Sequence, residues 1–155
     1  RGDYTASEDD NSLVQGIAND VNSLGYIPHS YYERNKGKLK ALGVVSNDQK
    51  APMKGKAVLP SDESVINGQY FPLSRPIFIY VSSTSAKKPE VKVFTEFFME
   101  NALKLVKEAQ YVTLTADSYQ MGLNKFRQGK LGTAFGGKPE IGIKIQDLLK
   151  REGQL

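Results

Sequence analysis

The sequence of 155 residues contains no cysteine and a single histidine. The lack of cysteine excludes disulfides, thiol catalysis and thiolate metal sites, but it does not fix the compartment in which the protein works. His29 has no second histidine with which to share a metal ion. We therefore expect a satisfied or solvent-facing side chain there rather than a metal ligand or a catalytic group.

Long apolar runs are also missing. The longest, Ile77–Val81, has the length of a strand and falls far short of the ~20 residues that span a membrane. The chain opens with Arg1-Gly2-Asp3 and carries five acids in its first twenty residues, which does not resemble a signal peptide. We expect either a cytosolic protein or a sequence that starts after a processed or trimmed end.

The charge excess is small, with 21 lysines and arginines against 17 acids and a net charge of +4. Seven of the bases fall within residues 33–56, where they lie on turns without interleaved aromatic residues. This distribution predicts a solvated loop face and no nucleic-acid partner. The hydrophobic content of 39% predicts one globular unit rather than a disordered chain.

The order of the predicted elements indicates an α/β chain. Ser7 to Asp10 reads as a capping box for a helix with Val14, Ile17, Val21 and Leu24 on one face, ended by Gly25. Further helices are predicted at 30–35, from Ser61 to Asn67, from Pro89 with a junction at Asn101, from Thr115 or Asp117 to Gly129, and around Ile141, Ile145, Leu148 and Leu149. Strands are predicted at 26–27, 39–45, 57–59, 76–82 and 111–114.

The strongest predicted strand is Pro76–Ser82, whose apolar residues do not alternate with polar ones. Such a strand is covered on both faces and needs partners on both edges. The sequence offers few partners, which suggests that the chain is part of a larger folding unit. A single buried strand between a strand-rich first part and a helix-rich second part would also suit a hinge between two lobes.

The sequence offers no candidate set of catalytic residues, because none of the nucleophile, metal or phosphate-loop motifs is present. The glycine-rich stretch 132–137 follows a helix and is predicted to be a surface turn. Glu8, Asp9 and Asp10 supply negative charge at a helix start that would otherwise attract an anion. This cap is therefore predicted to hold the helix alone or to orient a basic ligand-binding residue elsewhere.

Several segments together resemble the later half of the phosphate-binding proteins that serve ABC-type phosphate importers. They are RGDYTASEDDNSLVQ (1–15), NSLGYIPHSYY (22–32), YFPLSRPIFIYV (70–81), PEVKVFTEFFMEN (89–101) and 111–135, which ends in GKLGTAF. The resemblance implies a type II periplasmic-binding-protein fold with two α/β lobes, a hinge-crossing strand and phosphate held in the cleft. It also implies a periplasmic or extracellular location, often with a lipid anchor, and delivery of phosphate to a membrane permease.

Family members are about twice this length, and their main phosphate ligands would lie before Arg1. The resemblance therefore implies that residues 1–75 are the second part of one lobe and that residues 76–155 are the hinge strand and the closing helices of the other lobe. Ser7, Asp9 and Asp10 are the candidates to border the cleft, by holding an arginine that this chain lacks. Arg75 is expected to fix the hinge. No catalytic residue, metal or cofactor is expected, and the uncovered faces predict self-association.

Two other functions are open from the residues alone. Arg1-Gly2-Asp3 matches the tripeptide read by integrins, so a surface adhesion module that uses this tripeptide or the basic loop is the first alternative. A hydrolase of phosphate esters is the second, although no nucleophile and base are paired in the sequence.

Overall fold

The computed structural model describes residues 2–132 together with Phe135, Asp147, Leu148, Lys150 and Arg151. Its regular secondary structure is mostly helical. Its helices are α1 (Asp10–Asn19), α2 (His29–Arg34), α3 (Asp62–Ile66), α4 (Pro89–Glu100), α5 (Ala102–Glu108) and α6 (Ala116–Arg127), with a short 3-10 turn at Ser85–Lys87. Strands β1 (Val44–Val45) and β2 (Ala57–Val58) pair antiparallel, with Val44 opposite Val58. None of the helices in these ranges is both long enough and apolar enough to cross a bilayer.

The best-packed region of the molecule is formed by α4, α5 and α6. Pro89 occupies the first turn of α4, where its missing N–H costs nothing, and Asn101 ends α4 and precedes α5. Ala102 of α5 and Leu123 of α6 are buried. The approach of α6 to α4 is close at Gly122, where a Cβ atom would lie 2.7 Å from the terminal methyl of Met99.

Polar groups in this region are paired. Thr95 is buried, and its hydroxyl donates to the Val91 carbonyl at 2.7 Å. Arg127 at the end of α6 reaches across to α4, where its Nε lies 3.1 Å from Glu96 Oε1 and its Nη2 lies 2.7 Å from Glu100 Oε1. The two carboxylates raise the pKa of the Arg127 guanidinium, with Glu96 the larger cause.

The predicted helix starts at Ser61, Pro89 and Thr115 are confirmed. Ser61 and Ser64 form a reciprocal capping box, because each side chain accepts from the backbone N–H of the other. Thr115 accepts from the Ser118 N–H at 3.3 Å. The predicted turn at 30–35 is confirmed as α2, and the end of α6 is followed by Gly129 with φ of 65°.

The predicted end of the first helix at Gly25 is wrong, since α1 ends at Asn19. Asp20 accepts from the Asn22 N–H at 2.9 Å, and the Ser23 hydroxyl donates to the Asp20 carbonyl at 2.7 Å. These local bonds compete with the helix and turn the chain out of it. Val21 and Leu24 are consequently exposed, although they continue the helical spacing.

Most of the predicted strands are also wrong. The described residues at 26–27, 76–82 and 111–114 lie in no strand, and the predicted strand 39–45 is reduced to β1. The prediction at 57–59 is confirmed as β2. A strand satisfies its backbone groups only through a neighbouring strand, and these segments find none among the described residues.

The segment 76–82 shows this most clearly. Ile77 is 75% exposed and Tyr80 is 81% exposed, so neither face of the segment is covered. Phe78 makes an edge contact with Phe135, with ring centroids 5.5 Å apart. Arg75, which was expected to fix the hinge, donates to the Tyr26 hydroxyl at 3.4 Å.

The predicted C-terminal helix lies largely outside the described residues. Ile141, Ile145 and Leu149 are among those not described, whereas Asp147, Leu148, Lys150 and Arg151 are helical. The division into lobe parts at 1–75 and 76–155 stays a prediction.

Candidate functional site

The candidate site is the turn that leads into α1. Asp9 is the N-cap of this helix: its Oδ1 accepts from the Asn11 backbone N–H at 3.0 Å, and its Oδ2 accepts from the Ser12 hydroxyl at 2.9 Å. The prediction that Ser7 opens the helix in a capping box is therefore wrong. The carboxylate of Asp9 reaches the first-turn N–H itself, and the Ser7 hydroxyl instead accepts from the Asp9 N–H at 3.1 Å.

Hydrogen bonding also favours the ionised form of Asp9. The Ser12 hydroxyl and then the Asn11 N–H lower the pKa of this carboxyl below its ordinary value of 3.8. The side chain is exposed, so burial does not oppose ionisation strongly. At neutral pH the turn therefore carries a fixed negative charge at the positive end of the helix dipole.

The structure brings Ser7, Asp9 and Asp10 into one turn, with Ser7 and Asp10 half-buried and Asp9 exposed. Among the described residues no cation is paired with Asp9 or Asp10: the ion pairs there lie elsewhere, and the causes that lower the Asp9 pKa are hydrogen bonds. A turn of this charge repels a free anion. It is suited to accept hydrogen bonds from a guanidinium.

His29 lies at the start of α2 and differs from what was expected. Its ring nitrogens are buried without a hydrogen-bond partner, as is the hydroxyl of Ser30 beside it. Nε2 lies 3.3 Å from Glu33 Oε1, but the geometry is not that of a hydrogen bond. The Glu33 carboxylate is drawn to Lys36, whose Nζ lies 2.6 Å from Oε2 and whose pKa is raised by that bond. Among the described residues no histidine, aspartate and glutamate cluster could hold a metal ion.

A polar cavity of about 160 Å³ lies beside α2 and was missed by the sequence analysis. It is lined by Glu33, Asp62, Lys107, Gln110 and Tyr111. These residues come from α2, α3 and the end of α5, and they are spread over 79 positions. No spacing rule groups residues so far apart, which is why the sequence gives no signal for the cavity.

Comparison with known proteins shows what the chain is similar to. It is 52% identical over 153 residues to Protein SphX of Synechococcus elongatus and 40% identical over 153 residues to Protein SphX of Synechocystis. These matches cover 99% and 98% of this chain and 44% of each relative. It is also 31% identical over 121 residues to the phosphate-binding protein PstS of Staphylococcus haemolyticus, which covers 77% of this chain and 36% of that protein.

A solved structure gives the same answer. A protein of Planctomyces limnophilus, described as a possible phosphate binding protein, superposes with a TM-score of 0.60 at 35% identity, over 84% of this chain and 45% of that one. No family model matches the sequence. The predicted resemblance and the predicted fold, part of an α/β type II periplasmic-binding-protein fold, are confirmed, and nothing in these matches supports adhesion. The chain spans less than half the length of the relatives it matches.

Proposed function

We propose, from its homology to the SphX and PstS proteins, that this chain is part of the substrate-binding component of an ABC-type importer of inorganic phosphate. The observation that carries the proposal is the match itself, which extends over 99% of the chain at 52% identity with one relative and reaches proteins named for phosphate binding. Similarity confined to one motif would support only a shared local structure. A match along the whole chain supports a shared architecture.

In the proposed mechanism, phosphate is captured between two lobes. Residues 1–75 supply part of one lobe, and residues 76–155 supply the hinge segment and part of the other. A ligand that contacts both lobes binds the closed arrangement more tightly than the open one, and this difference in affinity drives closure. The uncovered segment 76–82 supports this arrangement, because a crossing strand needs neighbours from the rest of a larger fold.

The turn at Ser7, Asp9 and Asp10 would border the cleft and act through an arginine in the portion of the relatives that this chain does not span. Asp9 is ionised at neutral pH and already engaged in capping α1, so its remaining acceptor capacity suits a guanidinium. The arginine would then be the group that contacts phosphate. This assignment makes Asp9 and Asp10 positioning residues rather than direct ligands.

The same proposal covers activity, partners and location. As a binding protein it would not be an enzyme, and its partners would be inorganic phosphate and the membrane permease that receives it. Its location would be the periplasm or the outer face of the membrane, with a lipid anchor in the intact precursor. A phosphatase assay with a chromogenic phosphate ester tests the hydrolase alternative directly, and turnover above background would contradict the proposal.

Calorimetry tests the proposed ligand placement. We expect the longer protein that contains this chain to bind inorganic phosphate, and the 155-residue chain alone to bind it weakly or not at all. Sulfate at the same concentration is the control for nonspecific anion binding. Micromolar phosphate binding by the chain alone would show that the ligands lie within residues 1–155, and lack of binding by the longer protein would overturn the function itself.

A further inference from the structure

Arg34, the last residue of α2, contacts two neighbouring residues, Ala109 and Gln110, which lie 75 and 76 positions further along the chain. Its Nε donates to Gln110 Oε1 at 2.7 Å, and its Nη2 donates to the carbonyl oxygen of Ala109 at 2.9 Å. The guanidinium carbon also lies 5.8 Å from the centre of the Tyr31 ring. Two N–H groups of the planar guanidinium thus donate to two neighbouring acceptors, and this pair of bonds fixes the direction of the side chain.

The acceptors belong to the C-terminal end of α5. Gln110 N–H donates to the Lys107 carbonyl at 2.9 Å, and Tyr111 N–H donates to the Val106 carbonyl at 3.0 Å. These paired bonds form a Schellman motif after the C-cap Ala109. The motif places Gln110 in the left-handed region, with φ of 60°.

Glutamine is an unusual residue at this position. Glycine adopts the left-handed conformation without a steric penalty, whereas a side chain with a Cβ atom does not. A glycine would close the same motif but would remove the amide oxygen that accepts from Arg34. The helix end also carries partial negative charge at its last carbonyls, including that of Ala109, which favours a cation there.

We propose that Arg34 and Gln110 form a clasp that holds the residues 1–75 part against the residues 76–155 part. The clasp sets how the two parts lie relative to each other, and this second step rests on the two-lobed function proposed above. The adjacent cavity supports the assignment, because Glu33 and Asp62 line it from the first part while Lys107 and Tyr111 line it from the second. The clasp therefore lies where the two parts meet.

The first experiment measures thermal unfolding of the longer protein in a cycle of Arg34→Ala and Gln110→Gly. In the Arg34→Ala background, Gln110→Gly should raise the unfolding midpoint, because it relieves the left-handed side chain and has no clasp to lose. In the protein that retains Arg34, Gln110→Gly should raise the unfolding midpoint by less or should lower it. Equal shifts in both backgrounds would show that the two residues are uncoupled, which would overturn the clasp.

The second experiment reads the placement of the two parts. Spin labels are attached to cysteines introduced by Lys38→Cys and Lys92→Cys, two exposed positions, one in each part. The distribution of distances between the two labels should broaden in Arg34→Ala. Phosphate affinity should fall at least threefold in the same variant. Arg34→Lys should behave like Arg34→Ala, because lysine keeps the charge but lacks the planar pair of N–H donors. The control is Lys54→Ala, which removes an exposed charge elsewhere and should leave phosphate affinity unchanged.

These readouts separate the clasp from the proposed function. An unchanged distance distribution would overturn the positioning role even if the unfolding cycle shows coupling. Full recovery of phosphate affinity by Arg34→Lys would show that charge alone matters and would also overturn it. If the longer protein binds no phosphate, the proposed function fails, while the unfolding cycle and the label distances still decide the clasp.

Discussion

The helices α4 to α6 and the segment 76–82 are both rich in apolar residues, yet only the helices bury any of them fully. Ala102 and Leu123 are almost inaccessible, whereas Ile77, Ile79 and Tyr80 are mostly exposed. A helix satisfies its own backbone, and α4 finds its packing partner α6 a few tens of residues along the chain. A strand needs neighbours at its edges, so its burial depends on what the rest of the fold supplies.

The helical region also leaves apolar surface uncovered. Val93, Phe94 and Phe97 form an exposed apolar face on α4. Contiguous exposed apolar surface of this kind is typical of a contact with another part of a fold or with a partner.

The largest expected effect in this comparison comes from Leu123→Ala. Leu123 is 2% exposed in the packed region, so its truncation should lower the free energy of unfolding of the chain by about 3 kcal/mol through lost burial and a cavity. Urea unfolding of this chain measures the change. A loss below about 1 kcal/mol would mean that α4 to α6 are not a packed core.

Ile77→Ala is the matched change in the uncovered segment. In this chain alone it should alter the free energy of unfolding by less than about 0.5 kcal/mol, because the side chain is already exposed. In the longer protein the same substitution should cost about 1–3 kcal/mol if the remaining fold covers it. An equal effect in both proteins would remove the distinction between the two regions.

Arg127→Gln tests the polar contact across the packed region. It should lower the unfolding midpoint, because both Glu96 and Glu100 lose their partner. The side chains are partly exposed, so the loss should shrink as salt is added. Comparing midpoints in low salt and in 1 M sodium chloride measures this. A salt-independent loss would indicate that the aliphatic stem of Arg127 packs against α4 and that its charge contributes little.

Asp9→Asn should produce the smallest change and the clearest pH dependence. Because folding lowers the pKa of Asp9, the charged cap contributes stability that is full above about pH 4 and is lost as the pH falls through the folded pKa. Asparagine also caps helices but does not titrate. The unfolding midpoints of the variant and the parent chain should therefore differ slightly at pH 7 and converge as the pH falls through the lowered pKa of Asp9. A difference that grows on acidification would contradict this assignment.

Sequence reasoning succeeded where the signal is local. Pro89 and Thr115 mark helix starts through groups within one turn of themselves, so no distant partner can overrule them. It failed for α1 because the apolar spacing of Val21 and Leu24 continues past the turn at Asp20, and hydrogen bonds of that turn outweigh the spacing.

The strands and the clasp could not be predicted for a different reason. Residues 76–82 have the composition of a strand, but composition does not reveal whether neighbouring strands are present to pair with them. No sequence motif marks Arg34 or Gln110, and only the fold shows that they meet. The three residues of the candidate turn were found together because they are neighbours in the chain. The arginine proposed to complete that site belongs to the portion of the relatives that this chain does not span, so this sequence could not reveal it.

Amide hydrogen exchange of residues 76–82 tests most directly whether this chain is one part of a larger fold. We expect exchange close to that of an unstructured peptide in the 155-residue chain, and strong protection of the same amides in the longer protein. Strong protection in the chain alone, or its lack in the longer protein, would contradict the account.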